Sequence, residues 1–271
     1  KEEPKRARDE AVIAAAGPVT SLVIGGAMAL VDIVVPIEHV SVAAGWLAII
    51  NIALGLFNLL PGFPMDGGRI LRITPDGQIT AIADSLPSVG DHHTNGPVVG
   101  PDGWIYFGQG TATNSAVVGE DNATFGWLER QPDFHDIPCR DVTLSGVNFE
   151  SGDPLNGGNA TTGAYSPFGT RTTEGQVVPG RVPCNGSVLR VGPDGGAIDL
   201  VAWGLRNPFG LAFDPAGRLY VTDNGYDERG SRPVFGSGDY LWRIERGGWY
   251  GWPDFVGGRP FFDDDIRPVL A

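Results

Sequence analysis

The chain repeats itself at the level of paired strands. The run "ILRITPDGQITAIADSL" (70–86) returns as "VLRVGPDGGAIDLVAWGL" (188–205), and "GPVVGPDGWIYFGQG" (96–110) returns as "FGLAFDPAGRLYVTDNG" (209–225). Each copy is an apolar run, an Asp-Gly or Ala-Gly turn and a second apolar run. Asp-Gly between alternating apolar runs predicts a β-hairpin with a type I′ turn, because that turn needs positive φ. Two hairpins per unit make a four-stranded sheet, the blade of a propeller. A third unit begins at "DYLWRIERGGWYGWPDF" (239–255). The 41 Gly and 22 Pro are too many for a helical protein and suit a turn-rich β fold.

The first 72 residues obey a different pattern. "AVIAAAGPVTSLVIGGAMALVDIVV" (11–35) is broken early by Gly17-Pro18 and carries Asp32 near its far end. A polar link, "PIEH", leads into "VSVAAGWLAIINIALGLFNLLPGF" (40–63), which holds no charge. About 20 apolar residues at 1.5 Å rise cross the ~30 Å hydrocarbon layer of a bilayer. A transmembrane helical hairpin is therefore expected over 1–68, with a buried soluble hairpin as the alternative. Lys1, Lys5, Arg6 and Arg8 precede the first span and Arg69 and Arg72 follow the second. That bias places both ends in the cytoplasm of a bacterial inner membrane.

Charge separates the two parts again. Residues 1–72 hold six Lys/Arg and seven Asp/Glu, whereas 73–271 hold thirteen and twenty-five, and no Lys follows Lys5. An acidic surface of this kind repels phosphates and argues against nucleic-acid binding. Cys139 and Cys184 are the only cysteines. They read as a disulfide in an oxidising compartment, with two unpaired thiols as the alternative. No signal peptide is evident, and the charged start without Met reads as an internal piece of a longer chain. Between the complete repeats, 111–187 is rich in Gly, Asn and Thr. Its "DVTLSGVNFESGDP" can supply a strand or two; the rest reads as long loops of the sort that cover a site.

Two stretches, "AAAGPVTSL" (14–22) and "FNLLPGFPMDGGRILR" (57–72), resemble the site-2 protease family (peptidase M50) of intramembrane zinc metalloproteases. The resemblance implies Asp66 as a zinc ligand and Asn58 in the cleft. A carboxylate at that depth needs such a partner. The family's His-Glu-x-x-His helix has no counterpart, and His39 stands alone in a loop. One carboxylate holds no tetrahedral Zn²⁺, so proteolysis is not expected from these residues.

Residues 70–260 resemble the glucose/sorbosone dehydrogenase family, six-bladed propellers that oxidise sugars with pyrroloquinoline quinone (PQQ) and Ca²⁺. The resemblance rests on "HHTNGPVVGPDGWIYFGQG", "GLRNPFGLAFDPAGRLYVTDNG" and "GSGDYLWRIERGGWYGWP". It implies His93 as the base that takes a sugar hydroxyl proton, with His92 a bystander in a polar loop. It implies Arg206 and Asn207 as PQQ contacts; the alternative for Arg206 is a structural ion pair. It implies the backbone carbonyls of Gly225 and Tyr226 as Ca²⁺ ligands, Tyr226 standing where the family commonly has Pro. "WYGWP" (249–253) reads as a blade core and "DDD" (263–265) as a solvated run. The triplets at Asn122, Asn159 and Asn185 are assigned no role.

The expected architecture is thus mixed: the hairpin, then an incomplete all-β propeller of six-bladed type over 69–271, about four blades or fewer. The family places that propeller in the periplasm, the charge bias in the cytoplasm. "GRILR" (68–72) satisfies both families and reads as the joint of two incomplete genes. Three functions follow as expectations: PQQ-dependent oxidation of an aldose, an intramembrane zinc protease fragment, or a non-catalytic propeller that binds carbohydrate or protein.

Overall fold

The computed structural model describes residues 7–35, 38–59, 68–124, 126–260 and 268–271. The chain divides into two compact units, Lys1–Pro64 and Met65–Ala271.

The first unit is a pair of helices, α1 (Ala7–Val34) and α2 (Glu38–Leu59). Helix α1 runs unbroken through Gly17-Pro18, where the sequence predicted an interruption. Small residues set the packing: Ala44 and Ala48 are buried, and a Cβ on Gly25 would come within 2.6 Å of Ile52. The carboxylate of Asp32 is not left alone. It accepts a hydrogen bond from the Ser41 hydroxyl at 2.5 Å and lies against Gly45. Val23, Leu30, Ile33, Val42, Trp46, Ile49 and Ile50 all stand exposed. Among the described residues, however, no helix is long and apolar enough to cross a membrane. The transmembrane character expected of this hairpin is therefore not supported.

The second unit is mostly β. Its strands are β1 (Gly68–Ile73), β2 (Ile79–Leu86), β3 (Val98–Val99), β4 (Ile105–Gln109), β5 (Val142–Ser145), β6 (Asn148–Gly152), β7 (Asn159–Gly163), β8 (Glu174–Val178), β9 (Ser187–Val191), β10 (Asp199–Trp203), β11 (Asn207–Phe213), β12 (Leu219–Asn224), β13 (Tyr240–Arg243), β14 (Phe255–Val256) and β15 (Arg259–Pro260). They form one antiparallel four-stranded sheet in the order β10-β9-β4-β3 and one three-stranded sheet, β11-β12-β13. The hairpins β1-β2, β5-β8, β6-β7 and β14-β15 stand beside them. The four-stranded sheet is assembled from two repeats: β3-β4 comes from one and β9-β10 from the other, with 110–186 inserted between.

The hairpin turns differ from the expected type I′. In the first, Gly77 N–H donates to the Thr74 carbonyl at 2.8 Å and only Gly77, at φ 84°, takes positive φ. Gly103, at φ 79°, does the same after Pro101-Asp102. This is a type I turn followed by a left-handed glycine. Proline fixes φ near −65° at the first central position and so excludes type I′.

Packing joins the sheets along apolar strand faces. Val188, Val201 and Ala202 of the four-stranded sheet, with Leu205 just past β10, meet Leu219 and Val221 of the three-stranded one and Ile244 just past β13. Ile70, Ile82 and Leu86 pack with Phe107, Leu189 and Val191 around a Cys139–Cys184 disulfide. The segment "WYGWP" proves structural: Trp203 N–H donates to Gly248 O, Tyr250 N–H returns to Trp203 O, and Trp252 is buried. The inserted segment packs its Leu144, Ala164 and Tyr165 with Tyr226, Val234 and Trp252 from later in the chain.

Candidate functional site

Four chain segments meet at one end of the two sheets: the approach to β3, the exit of β4, the entry to β11 and the exit of β12. Backbone bonds knit them together. His92 N–H donates to Thr111 O at 3.1 Å and Thr111 N–H to Arg206 O at 2.9 Å. Thr111 therefore sits between His92 and Arg206. The approach is close enough to require glycine beside it. A Cβ on Gly110 would lie 2.3 Å from His92 Cβ and 3.3 Å from Asn207 Oδ1.

The buried imidazole is that of His92. Its Nδ1 faces Thr111 O at 3.0 Å and Thr111 Oγ1 at 3.1 Å. The carbonyl can only accept, and the Thr111 hydroxyl gives its own proton to Thr113 O at 2.7 Å. Nδ1 therefore carries the hydrogen, and Nε2 keeps its lone pair with no partner among the described residues. Burial, followed by the positive charge of Arg206, pushes the His92 pKa down to about 3. Its neighbour His93 is exposed. The two residues lie on an extended run leading to the Thr94–Gln109 bridge. Successive side chains on such a run turn to opposite faces. The imidazole packed beside Arg206 is accordingly that of His92, whereas the resemblance implied the exposed His93 as the base.

Arg206 is almost fully buried. Its Nε donates to Asn114 O at 3.2 Å and Asn114 Oδ1 at 3.1 Å, and its Nη2 pairs with Asp227 at 2.6 Å. The structural ion pair weighed as an alternative for this residue is thus present, although Asp227 remains half exposed at 48%. Asn207 donates from Nδ2 to Asn224 Oδ1 at 3.0 Å and accepts from Asn95 Nδ2 at 3.1 Å. The backbone N–H groups of Arg206 and Asn207 both donate to Asp223, at 3.1 and 2.7 Å.

Several residues here carried no sequence signal. Arg229 ties Asp91, Asp121 and Asp227 together at 2.9, 2.7 and 3.0 Å. Burial pushes Asp91 and Asp223 up to about 6. Asp136 is fully enclosed and holds Ala112 N–H at 2.6 Å and the Thr113 hydroxyl; burial raises its carboxyl to about 7. Asp227 stays below the usual range: burial works against this, but Arg206 and Arg229 outweigh it. An uncoupled acid looks the same in sequence as one buried beside two guanidiniums.

For calcium, Gly225 N–H donates to Asp239 at 3.0 Å and Tyr226 N–H to Ser237 at 3.0 Å, while the Tyr226 ring is buried and its hydroxyl donates to Phe255 O. Among the described residues no group of three or more His, Cys, Asp or Glu is placed to hold a metal ion. Asp66 lies outside the described residues, as does the side chain of Asn58. The Cys139–Cys184 disulfide is formed, with Cα atoms 5.1 Å apart.

The family model for Peptidase family M50 matches residues 36–82, and that for Glucose / Sorbosone dehydrogenase matches 173–269. A Mycobacterium tuberculosis protein carrying the name zinc metalloprotease Rip3 is 54% identical over 65 residues, 22% of this chain and 16% of its own. Zinc metalloprotease MJ0392 of Methanocaldococcus jannaschii is 44% identical over 61 residues, 22% of this chain and 18% of its own. The chain therefore spans less than a fifth of these curated relatives. Among solved structures, the PQQ-bound aldose sugar dehydrogenase of Streptomyces coelicolor aligns over 74% of this chain and 71% of its own, at 17% identity and a TM-score of 0.24. An oxidoreductase described as glucose dehydrogenase from Thermus thermophilus aligns over 77% and 70%, at 17% identity and a TM-score of 0.25.

Proposed function

We propose that the unit Met65–Ala271 is the sugar-oxidising part of a glucose/sorbosone-type dehydrogenase of propeller architecture, with His92 as its base. The observation that carries this is the match of that family over 173–269, which contains Arg206, Asn207, Gly225 and Tyr226.

The donor set suits a flat polycarboxylate such as PQQ. Two guanidiniums, Arg206 and Arg229, and two carboxamides, Asn95 and Asn207, lie around the His92 loop. The partner of Arg206, Asp227, is half exposed, so a ligand carboxylate can take its place. The nearby carboxylates oppose an anion, but Asp91 is paired with Arg229 and Asp223 holds the backbone N–H groups of Arg206 and Asn207, which offsets part of that charge. When bound, the quinone supplies the hydride acceptor. The chain's own residues do the rest. Arg206 and Asn207 hold the cofactor and steady negative charge that develops on it. His92, fixed through Nδ1, receives the hydroxyl proton at Nε2. With pKa about 3 it is a weak base in the free protein. Calcium has no side-chain ligand set here beyond the proposed carbonyls of Gly225 and Tyr226, and no step is assigned to it.

The test is dye reduction with an aldose after addition of PQQ. His92→Gln should lower turnover about 10²–10⁴-fold while PQQ binding changes little, and His93→Gln should leave turnover nearly intact. The reverse pattern would return the base to His93; equal turnover in both variants would remove an imidazole from the mechanism.

The high identity to zinc metalloproteases over about 65 residues favours a second reading for the helical unit. In it, residues 1–68, the helical unit together with Asp66 just beyond it, are a fragment of an M50-type protease, in contact with a membrane through the exposed apolar side chains of the helices. The described residues offer Zn²⁺ no ligand cluster. Zinc that binds stoichiometrically and is lost on Asp66→Ala would support this reading, and zinc uptake unchanged by Asp66→Ala would remove Asp66 from it.

A further inference from the structure

We propose that a cavity of about 450 Å³ beside the His92 site, between the turn after β2 and the inserted segment 131–137, binds a small amphipathic monocarboxylate. The volume lies within the ~300–1,000 Å³ of ordinary small-ligand pockets. Val89, Ala112, Phe134 and Ile137 give it an apolar wall, and Arg181 and His135 stand on its lining. Phe134 and Ala112 belong to a packed cluster with Val118, Trp127 and Leu128, so that wall is rigid.

The backbone that carries the polar groups is equally fixed. Arg181 N–H donates to Pro138 O at 2.9 Å, and both residues flank the Cys139–Cys184 disulfide. Asn185 Oδ1 accepts from Ile137 N–H at 2.9 Å, and its Nδ2 holds Pro87 O and Gly110 O. Ser85, also on the lining, is held at φ 55°, a left-handed conformation that a non-glycine residue keeps only where its surroundings impose it.

Charge selects the ligand. Arg190, Arg206, Arg229 and Arg232 each hold carboxylates of the chain. The exposed guanidinium of Arg181 holds none among the described residues, in a chain of net charge −13. An unengaged guanidinium beside an apolar cavity is matched by one carboxylate on an apolar body. Asp133 lies on the same lining, and its backbone carbonyl accepts from His135 Nδ1 at 2.7 Å. Its own charge disfavours polyanions, so citrate or phosphate does not fit. The lining does not include His92, Arg206 or Asn207, and the two sites adjoin at the Ala112 turn, whose carbonyl accepts from Asp91 N–H, and at Gly110, whose carbonyl accepts from Asn185.

Calorimetric titration of the full chain with benzoate, benzyl alcohol and citrate tests this. Saturable binding of one benzoate is expected, with benzyl alcohol and citrate at least tenfold weaker. Arg181→Gln, an exposed change, should weaken benzoate about tenfold or more and leave benzyl alcohol unaltered; Val89→Phe should weaken both by filling the cavity. Equal affinity for benzoate and its alcohol, benzoate binding untouched by Arg181→Gln, tighter binding of citrate, or no saturation would each overturn the proposal. Because the probe is neither a quinone nor an aldose, loss of sugar oxidation leaves this result standing, and the converse holds.

Discussion

Two adjacent histidines separate cleanly once their environments are known. His92 is buried and tautomerically fixed by Thr111, whereas His93 faces solvent. The sequence marked the pair, and the resemblance took His93 as the base; which of the two is buried was not legible, because facing is decided by which side of an extended run meets the next sheet. The buried acids were still less legible, and their behaviour with pH follows from burial. Asp136 binds its proton more tightly folded than unfolded, so its contribution to stability is complete below pH 3.8 and fades as pH rises through about 7. Asp91 and Asp223 act in the same sense, fading through about 6. His92 acts oppositely: its contribution is complete above pH 6.5 and fades as pH falls toward 3. Asp136→Asn keeps an acceptor for Ala112 N–H and cannot charge. Urea titrations at pH 5 and 8 should show its stability relative to wild type improving by about 1 kcal/mol or more at the higher pH. Arg232 and Asp254 form a second unforeseen pair. They meet at 2.6 Å with side chains 1% and 4% exposed, and Asp254 also accepts from Val269 and Leu270 N–H. Asp254→Ala strands a buried guanidinium and should cost about 3–5 kcal/mol in a denaturant melt.

At the scale of elements, the hairpins were readable and their turns were not quite. Pro-Asp-Gly identified the chain reversal correctly, yet the proline chose a type I turn with a left-handed glycine. Gly103 meets nothing that a methyl would strike. Gly103→Ala should therefore cost only the strain of φ 79°, about 1 kcal/mol by thermal melt. The inserted segment was expected to be loop with a strand or two over 141–154; β5 and β6 do lie there, and each pairs with a strand too polar and short to announce itself, β8 and β7. The disulfide within this region closes a separation of 45 residues. In the chain-entropy account that contributes roughly 3–4 kcal/mol, so Cys184→Ser should lower stability by that amount and abolish the wild type's response to reductant.

The whole molecule joins two units of different physical character. The β unit holds nearly all the negative charge, and self-repulsion should make its melting temperature rise with salt between about 10 and 200 mM; a salt-independent melt would show that its acids are locally compensated. Repeats, Pro-Asp-Gly turns and the absence of late lysines decided by themselves that residues beyond 68 form antiparallel hairpins with an acidic surface, because strand alternation and turn conformation are local properties. The same local reasoning expected membrane-crossing helices, whereas among the described residues no helix is long and apolar enough to cross a membrane. Partnership is not local. That Thr111 stands between His92 and Arg206, that Asp227 answers Arg206, and that Arg181 answers nothing among the described residues all depend on contacts between segments far apart in the chain. Only the tertiary arrangement, which sets distance and burial, decided them.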